Sequence, residues 1–422
     1  MMAATFDRTE LPSGVKVLSE RLAEVRSISL GVWIDTGSRD ETPAEQGLSH
    51  FLEHLLFKGT PTLSALQIAE GFDYLGADIN AATGREHTSI YSRVLEEYLP
   101  QAIDMVMDMA RNSVMDSGEI DSERQVVLEE INMHNDSPDE LVHDYIANVL
   151  WGDHPIGHSV LGTEEVIKTV GRDFLLDFYH NRYVASRIVV SAAGAVDHDR
   201  LCELIGKRLN DLPAGVTADR SASMAEPVAG KLIARKDTEQ AHIVMAGKGL
   251  PRKHPDRFAL SVMDNILGGS MSSRLFQRVR EQLGLVYSIY SYNALFIGMG
   301  MVGIYAGTHP TQAARVISLI EEELAKVRDG GFSSEEMARA KNHIKGTLYI
   351  SNEDSGSRMN RLAKAELAGG EHLTIDEMVE RVESVTIEDI HRVFAETWDA
   401  VGLSLAVIGP FDPDDLSLSK QL

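Results

Sequence analysis

Apolar residues along this chain follow two spacings, one typical of strands and one typical of helices. Segment 21–41, RLAEVRSISLGVWIDTGSRDE, has the alternation of a strand pair. GADINAATGREHTSIYSRVL, at 76–95, predicts a strand, a glycine-centred turn and a second strand. Helical spacing predicts helices at about 44–58, 64–75, 96–112 and 119–134. Strands joined by short turns among helices indicate an α+β fold, with a mainly antiparallel sheet packed with helices.

The second half of the chain repeats the pattern of the first half. VGRDFLLDFYHNRYVASRIVVSAAGAVD, from Val170, matches VTIEDIHRVFAETWDAVGLSLAVIGPFD, from Val385, at a constant spacing of 215 residues. Each predicts a helix followed by an apolar strand. Two homologous domains from an internal duplication explain this match. We therefore predict a first domain at 1–213, an Ala-, Ser- and Pro-rich linker at 214–228 and a second domain at 229–422.

One predicted helix carries titratable residues inside an apolar run. SHFLEHLLF, at 49–57, contains His50, Glu53 and His54. Residues four apart lie on one face of a helix, so the two imidazoles can bind one cation, and neutral imidazole suits zinc. Glu53 lies on the same face, within reach of a metal-bound water. The matching helix of the second copy, RFALSVMDNILGG, has Leu, Met and Asp at these positions, so the polar trio is particular to the first copy.

The motif alone is a weak indication, because chance produces it in roughly four of a hundred chains of this composition. A zinc site also needs a further protein ligand. The predicted helix IDSERQVVLEEINMH offers Glu123 and Glu130, which are seven residues apart and therefore share a face, whereas Glu129 points roughly 100° away. A solvated acidic helix is the alternative interpretation, and the residues alone do not choose.

The joint pattern resembles a known family. His50-x-x-Glu53-His54 followed by Glu123-x6-Glu130 resembles the inverted zinc motif of the pitrilysin/insulinase metallopeptidases. The two-domain length is similar to their half-length, mitochondrial-processing-peptidase-like branch. The resemblance implies one Zn2+ per chain, held by His50, His54 and Glu130. It implies that Glu53 is the general base, and that Glu123 orients a metal ligand.

The resemblance also implies substrate-binding residues. RLFQRVREQLGLVYSIYS, in the second domain, contains Arg280 and Tyr287, which are implied to hold the substrate backbone and the oxyanion of the tetrahedral intermediate. ADINAATG resembles the family's substrate-binding edge strand at Asn80, Ala81 and Ala82, where an extended peptide can pair with the backbone. Without the resemblance, these segments predict only a helix, a strand and an ordinary edge strand.

The implied activity is zinc-dependent endopeptidase hydrolysis of unfolded or short peptides, in processing or in oligopeptide degradation. In the family, two two-domain units close around a chamber, and this chain supplies one of them. We therefore expect a homodimer whose active site is completed by the partner subunit. The alternative is a non-catalytic or partner-dependent subunit of a processing-peptidase-like complex. A module that binds metal or peptide without turnover is a third possibility.

Composition narrows the classes of partner. The 422 residues include 40 basic and 64 acidic side chains, and the formal charge of -24 argues against a nucleic-acid binder. The single cysteine, Cys202, excludes an intramolecular disulfide framework. No apolar run approaches the ~20 residues of a membrane span, and the first residues lack the pattern of a signal peptide. We expect a cytoplasmic protein without membrane attachment.

Overall fold

The computed structural model describes residues 6–220, 224–399 and 402–417. The chain divides into two compact units built from interleaved segments. Unit 1 consists of the residues up to Asn132, Ser159–Asp219 and Ile350–Thr374. Unit 2 consists of Met133–His158, Arg220–Tyr349 and the residues from Ile375 onward.

Strands and helices alternate in groups along the chain. The strands are β1 (Phe6–Glu10), β2 (Lys16–Arg21), β3 (Ser27–Ile34), β4 (Asp78–Thr83), β5 (Thr88–Leu95), β6 (Ile188–Gly194), β7 (Lys231–Arg235), β8 (Ala241–Lys248), β9 (Val286–Leu295), β10 (Gly300–Thr308) and β11 (Ser404–Gly409). The α-helices are α1 (Leu48–Leu55), α2 (Ala65–Tyr74), α3 (Leu99–Asn112), α4 (Ser117–Asn135), α5 (Pro138–Trp151), α6 (Glu164–Thr169), α7 (Arg172–Arg182), α8 (His198–Leu209), α9 (Arg257–Leu267), α10 (Ala313–Gly330), α11 (Ser334–Ser351), α12 (Ser355–Leu367), α13 (Ile375–Ser384) and α14 (Ile387–Thr397).

The sheet of unit 1 has six strands in the order β1-β2-β6-β3-β5-β4. Only the β2–β6 pair is parallel. The main core lies on one face, where apolar side chains of β3, β5 and β6 pack against α1, α3 and α7. The other face is covered by α12, and Trp33 and Leu362 belong to the buried cluster between them. Because β4 is the last strand, one of its edges has no strand partner among the described residues.

The sheet of unit 2 repeats the arrangement of β2-β6-β3-β5-β4, with no counterpart of β1 among the described residues. Its order is β7-β11-β8-β10-β9, and only the β7–β11 pair is parallel. Helix α14 and strand β11 follow one another as α7 and β6 do in unit 1. The helices begin at Arg172 and Ile387, which are 215 residues apart as the sequence repeat predicts. The predicted α+β fold of two homologous domains is confirmed.

Each half of the chain contributes one helix to the unit that is built mainly from the other half. Helix α5 comes from the first half of the chain, yet it packs on β8 and β11 of unit 2. Helix α12 comes from the second half and packs on β2, β3 and β6 of unit 1. The buried carboxylate of Glu20 on β2 pairs with Arg358 and Arg361 of α12, which fixes this helix on its sheet.

Most local predictions agree with the structure, and one is wrong. Segment 21–41 holds the single strand β3 instead of a strand pair. Strand β2 already ends at Arg21, and β6 lies between β2 and β3 because its seven buried residues favour a central position. The predicted domain boundaries stay predictions. The described part of the predicted linker, 214–228, forms no helix or strand, and its residues 221–223 lie outside the described residues. Among the described helices, none is long and apolar enough to cross a membrane.

Candidate metal centre

Helix α1 presents an apolar face to the core and a polar face away from it. The apolar residues recur at the i, i+3, i+4, i+7 spacing of one helical face. All of them are fully buried in the core of unit 1: Leu48, Phe51, Leu52 and Leu55. His50, Glu53 and His54 lie side by side on the other face of the helix, where they are partly buried. The local sequence thus determines which side of α1 carries the polar trio.

The N-terminus of α1 is held by a carboxylate from the segment that precedes the helix. Gly47 precedes the helix with φ of 91°, and a Cβ there would lie 2.6 Å from the carbonyl oxygen of Leu161. No local side chain caps the helix. Instead the buried carboxylate of Glu41 accepts hydrogen bonds from the backbone N–H groups of Gly47 at 2.8 Å and Ser49 at 2.7 Å. Burial raises the pKa of Glu41 to about 7. Sequence spacing carried no signal of this contact.

Three ligand atoms converge beside α1. His50 Nε2 and His54 Nε2 lie 3.3 Å apart, and each lies 3.4 Å from Glu130 Oε2 of α4. Atoms bound at about 2.0–2.1 Å to a tetrahedral zinc ion would be about 3.3–3.4 Å from one another. Burial, together with the nearby His54, lowers the pKa of His50 to about 4, so this imidazole stays neutral and keeps a lone pair for a cation. The two nitrogens and the carboxylate oxygen therefore fit zinc.

A buried carboxylate orients one of the two histidines. Glu123 Oε2 lies 3.1 Å from His54 Nδ1, and Glu123 Oε1 lies 2.6 Å from Lys58 Nζ. When His54 donates its Nδ1–H to Glu123, its Nε2 lone pair points to the cluster. Glu123 and Glu130 thus lie on the face of α4 that is next to α1, as their spacing predicted, while Glu129 is exposed. Lys58, three residues beyond the end of α1, was not predicted.

Glu53 lies beside the cluster without belonging to it. Its carboxylate accepts a hydrogen bond from the hydroxyl of Thr83, at the end of β4. Burial raises the pKa of Glu53, Thr83 and His54 oppose this rise, and the charge of Glu130 adds to it. The sequence did not single out Thr83, although it directly follows the predicted edge-strand residues. A half-buried carboxylate with a raised pKa is suited to accepting a proton.

One other group of His, Asp and Glu residues within the described chain comes this close together. It consists of His254, Asp256 and Glu396 in unit 2. There the guanidinium of Arg392 already binds both carboxylate oxygens of Asp256, at 3.0 and 2.8 Å. The carboxylate of Asp256 is therefore already paired without an ion.

Asn80, Ala81 and Ala82 lie on the outermost strand of unit 1. On one side they pair with Tyr91, Ile90 and Ser89 of β5, and within the described residues no strand occupies the other side. Ala81 faces the core, whereas Asn80 and Ala82 are exposed. The position permits pairing with an extended peptide, and the role in substrate binding stays a prediction.

Arg280 and Tyr287 belong to unit 2. Arg280 is exposed in a π-helical segment, Phe276–Gln282, with its guanidinium 4.8 Å from the ring centroid of Phe276. Tyr287 is 64% exposed on β9, the outermost strand of its sheet. The segments are the helix and strand that the sequence predicts, and both side chains are accessible. Their roles toward a substrate stay predictions.

Comparison with known proteins identifies the family. Residues 16–164 match the family described as Insulinase (Peptidase family M16), and residues 169–344 match the Peptidase M16 inactive domain. Over 416 residues the chain is 42% identical to an uncharacterized zinc protease of Streptomyces coelicolor, covering 96% of this chain and 90% of that protein. It is 40% identical over 404 residues to an uncharacterized zinc protease of Bacillus subtilis, covering 94% and 97%.

Solved structures agree on the fold. The crystal structure of a protease from Helicobacter pylori matches with a TM-score of 0.90 at 21% identity, covering 97% of this chain and 100% of that chain. A Pseudomonas fluorescens structure, described as a peptidase M16 inactive domain, matches with a TM-score of 0.91 at 20% identity, covering 98% and 99%. The chain belongs to the insulinase family of peptidases, family M16. Its narrower placement in the processing-peptidase-like branch stays a prediction.

Proposed function

We propose that this protein is a zinc-dependent endopeptidase that hydrolyses unfolded or short peptides, in processing or in oligopeptide degradation. One observation carries the proposal. His50, His54 and Glu130 offer three ligand atoms at the mutual distances of a zinc coordination sphere, and Glu53 stays beside them as a separate carboxylate. Similarity to relatives named zinc proteases supports the same activity.

In this proposal each residue of the centre has one task. His50, His54 and Glu130 hold one zinc ion per chain. When bound, zinc polarises a carbonyl and lowers the pKa of water. Glu53 accepts a proton from the attacking water and passes it to the leaving amine, a task that its raised pKa suits. Glu123 keeps His54 in the orientation and tautomer that leave Nε2 free for the metal.

The substrate is proposed to bind as an added strand. Backbone groups on the unpaired edge of β4, at Asn80, Ala81 and Ala82, hydrogen-bond to an extended peptide. Arg280 and Tyr287 bind the substrate backbone and the developing oxyanion, a contribution of roughly 2.7–4 kcal/mol per donor in other enzymes. The π-helical segment that carries Arg280 supports a functional role, because such segments are rare and frequent at functional sites.

The activity is tested with a panel of unstructured peptides, read by mass spectrometry. Cleavage should disappear after chelation and in Glu53→Gln, which should keep its zinc. His54→Ala should lose both zinc and cleavage. Glu129→Gln, an exposed neighbour on the same helix, should retain both and serves as the matched control. Zinc binding without any cleavage would instead favour the non-catalytic or partner-dependent subunit.

We further propose a homodimer in which Arg280 and Tyr287 act at the zinc centre of the partner subunit. Mixing a Glu53→Gln chain with a Tyr287→Phe chain tests this sharing, since one site in the mixed dimer would then be intact. Recovered activity supports the arrangement. Absence of recovery, with subunit exchange demonstrated independently, contradicts it.

A further inference from the structure

A polar cleft opens on the side of the unit 1 sheet that faces away from α1. It lies between the first two turns of α12 and the outer strands β4 and β5. Its volume is about 250 Å3. The side chains that matter for its chemistry are Asp78, Asn80, Arg93, Asp354 and Asn360. None of these belongs to the candidate metal cluster.

The charge of the cleft is not balanced. Arg93 is engaged by Asp354 and by the hydroxyl of Ser29, at 3.2 Å from its Nε. Asp354 also caps α12, because its carboxylate accepts from the backbone N–H of Ser357 at 2.7 Å. Asp78 has neither a hydrogen bond through its carboxylate nor an ion pair with any described residue. Arg93 lies opposite Asp78 in the pairing of β4 with β5, but its guanidinium is paired with Asp354. Asp78, Asp354 and Arg93 together therefore leave one net negative charge in the cleft.

Strand geometry connects this cleft to the edge of β4. Ile79 and Ala81 face the core that contains α1, and Thr83, next in the alternation, contacts Glu53. Asp78 and Asn80 face the cleft. A peptide paired with this edge would place alternate side chains on the same two faces. Asp78 and Asn80 lie five and three residues from Thr83, which is roughly 10–17 Å along a strand.

The second copy provides an internal comparison. In unit 2, the equivalent space between β9, β10 and α5 is filled by aromatic rings. His143 of α5 lies 3.0 Å from the hydroxyl of Tyr292 and 3.3 Å from that of Tyr290. The rings of Tyr290 and Tyr305 stack with centroids 5.0 Å apart. An open, polar space in this place is therefore particular to the unit that carries the candidate metal centre.

We propose that this cleft is a specificity subsite that takes a basic side chain of a bound peptide, with Asp78 as its charged partner. The lysine or arginine would stand about three to five residues from the scissile bond, on the face opposite to the zinc. The inference rests on the proposed peptidase function, and it adds a preference that the metal centre itself does not contain.

The test measures binding of fluorescent, unstructured peptides to the zinc-loaded Glu53→Gln chain by anisotropy. The peptides differ only in carrying Lys, Gln or Glu at one position, which is moved along the sequence. At one position within three to five residues of the cleaved bond, we expect Lys to bind about fivefold more tightly than Gln, as for an exposed ion pair of about 1 kcal/mol. Asp78→Asn should abolish this preference, and Asp78→Lys should reverse it in favour of Glu.

The control addresses the charge of the whole chain. With a formal charge of -24, the protein attracts any basic peptide at low salt. Asp73→Asn removes another exposed carboxylate, on α2 and outside the cleft, and it should leave the Lys preference unchanged. A Lys preference that survives in Asp78→Asn, or that falls equally in Asp73→Asn, overturns the subsite.

The same peptides separate this inference from the proposed function. If the unmodified chain cleaves the Gln peptides and shows no charge preference at any position, the peptidase stands and the subsite is refuted. If no peptide is bound or cleaved by the zinc-loaded chain, the proposed function fails, and the subsite fails with it.

Discussion

Substitution of Glu123 tests whether a residue that does not bind the metal itself raises the zinc affinity of this site. Its buried carboxylate contacts His54 Nδ1 at 3.1 Å and Lys58 Nζ at 2.6 Å. Glu123→Gln keeps an amide oxygen that can still accept from His54 but removes the negative charge beside the imidazole. Glu123→Ala removes both contacts and leaves the Lys58 ammonium without its carboxylate.

The size of the effect follows from these two contacts. Loss of a partner that orients a metal-binding histidine typically lowers metal affinity 10–100-fold, or about 1.4–2.7 kcal/mol. We expect Glu123→Gln near the lower value, because the orientation of His54 survives. We expect Glu123→Ala near about 100-fold, because the ring is then free to rotate. Lys58 is partly exposed and can turn to solvent, so the fold should persist in both variants.

Zinc affinity is measured by competition with a chromophoric chelator, and urea unfolding of the metal-free chains verifies that the fold is intact. Glu129→Gln removes an exposed carboxylate from the same helix and should bind zinc like the unmodified chain. If a folded Glu123→Ala chain keeps its full zinc affinity, the argument that Glu123 orients His54 for the metal is refuted.

Three further predictions concern the support of the site. Burial raises the pKa of Glu41 from 4.5 to about 7. The stability that the fold gains from protonation of Glu41 is therefore fully present below pH 4.5 and is lost as the pH rises through 7. With chelator present to remove metal, the free energy of unfolding of the unmodified chain relative to that of Glu41→Gln should fall by about 3 kcal/mol between pH 4.5 and 8. If urea unfolding gives the same difference between the two chains at both pH values, this prediction is contradicted. Gly47→Ala should lower the unfolding free energy by about 2 kcal/mol and weaken zinc binding, because of the φ of 91° and the contact with Leu161; an unchanged melting temperature would argue against it. Glu20→Ala should cost about 3 kcal/mol in urea unfolding, because two arginines of α12 lose their buried partner, whereas a loss below about 1 kcal/mol would show that α12 is held by apolar packing alone.

The spacing of apolar and polar residues along the sequence was sufficient to predict much of this structure. The apolar residues of α1 recur with helical periodicity, so the polar trio had to emerge on one side. The seven-residue spacing of Glu123 and Glu130 places them on one face of α4 in the same way. The duplication was equally visible, since α7 and α14 begin 215 residues apart. These features depend on residues that are neighbours along the chain or that repeat a pattern.

Other features depend on residues that meet only after folding. No periodicity predicted that α5 belongs to unit 2 and α12 to unit 1, or that β6 lies between β2 and β3. Nor did it predict that Glu41 caps α1 or that Asp78 faces an open cleft. The amino-acid sequence alone therefore determined the elements, the repeat and the polar face of α1. The tertiary structure decided which of these faces meet, because long-range packing selects partners by burial and shape and not by local spacing.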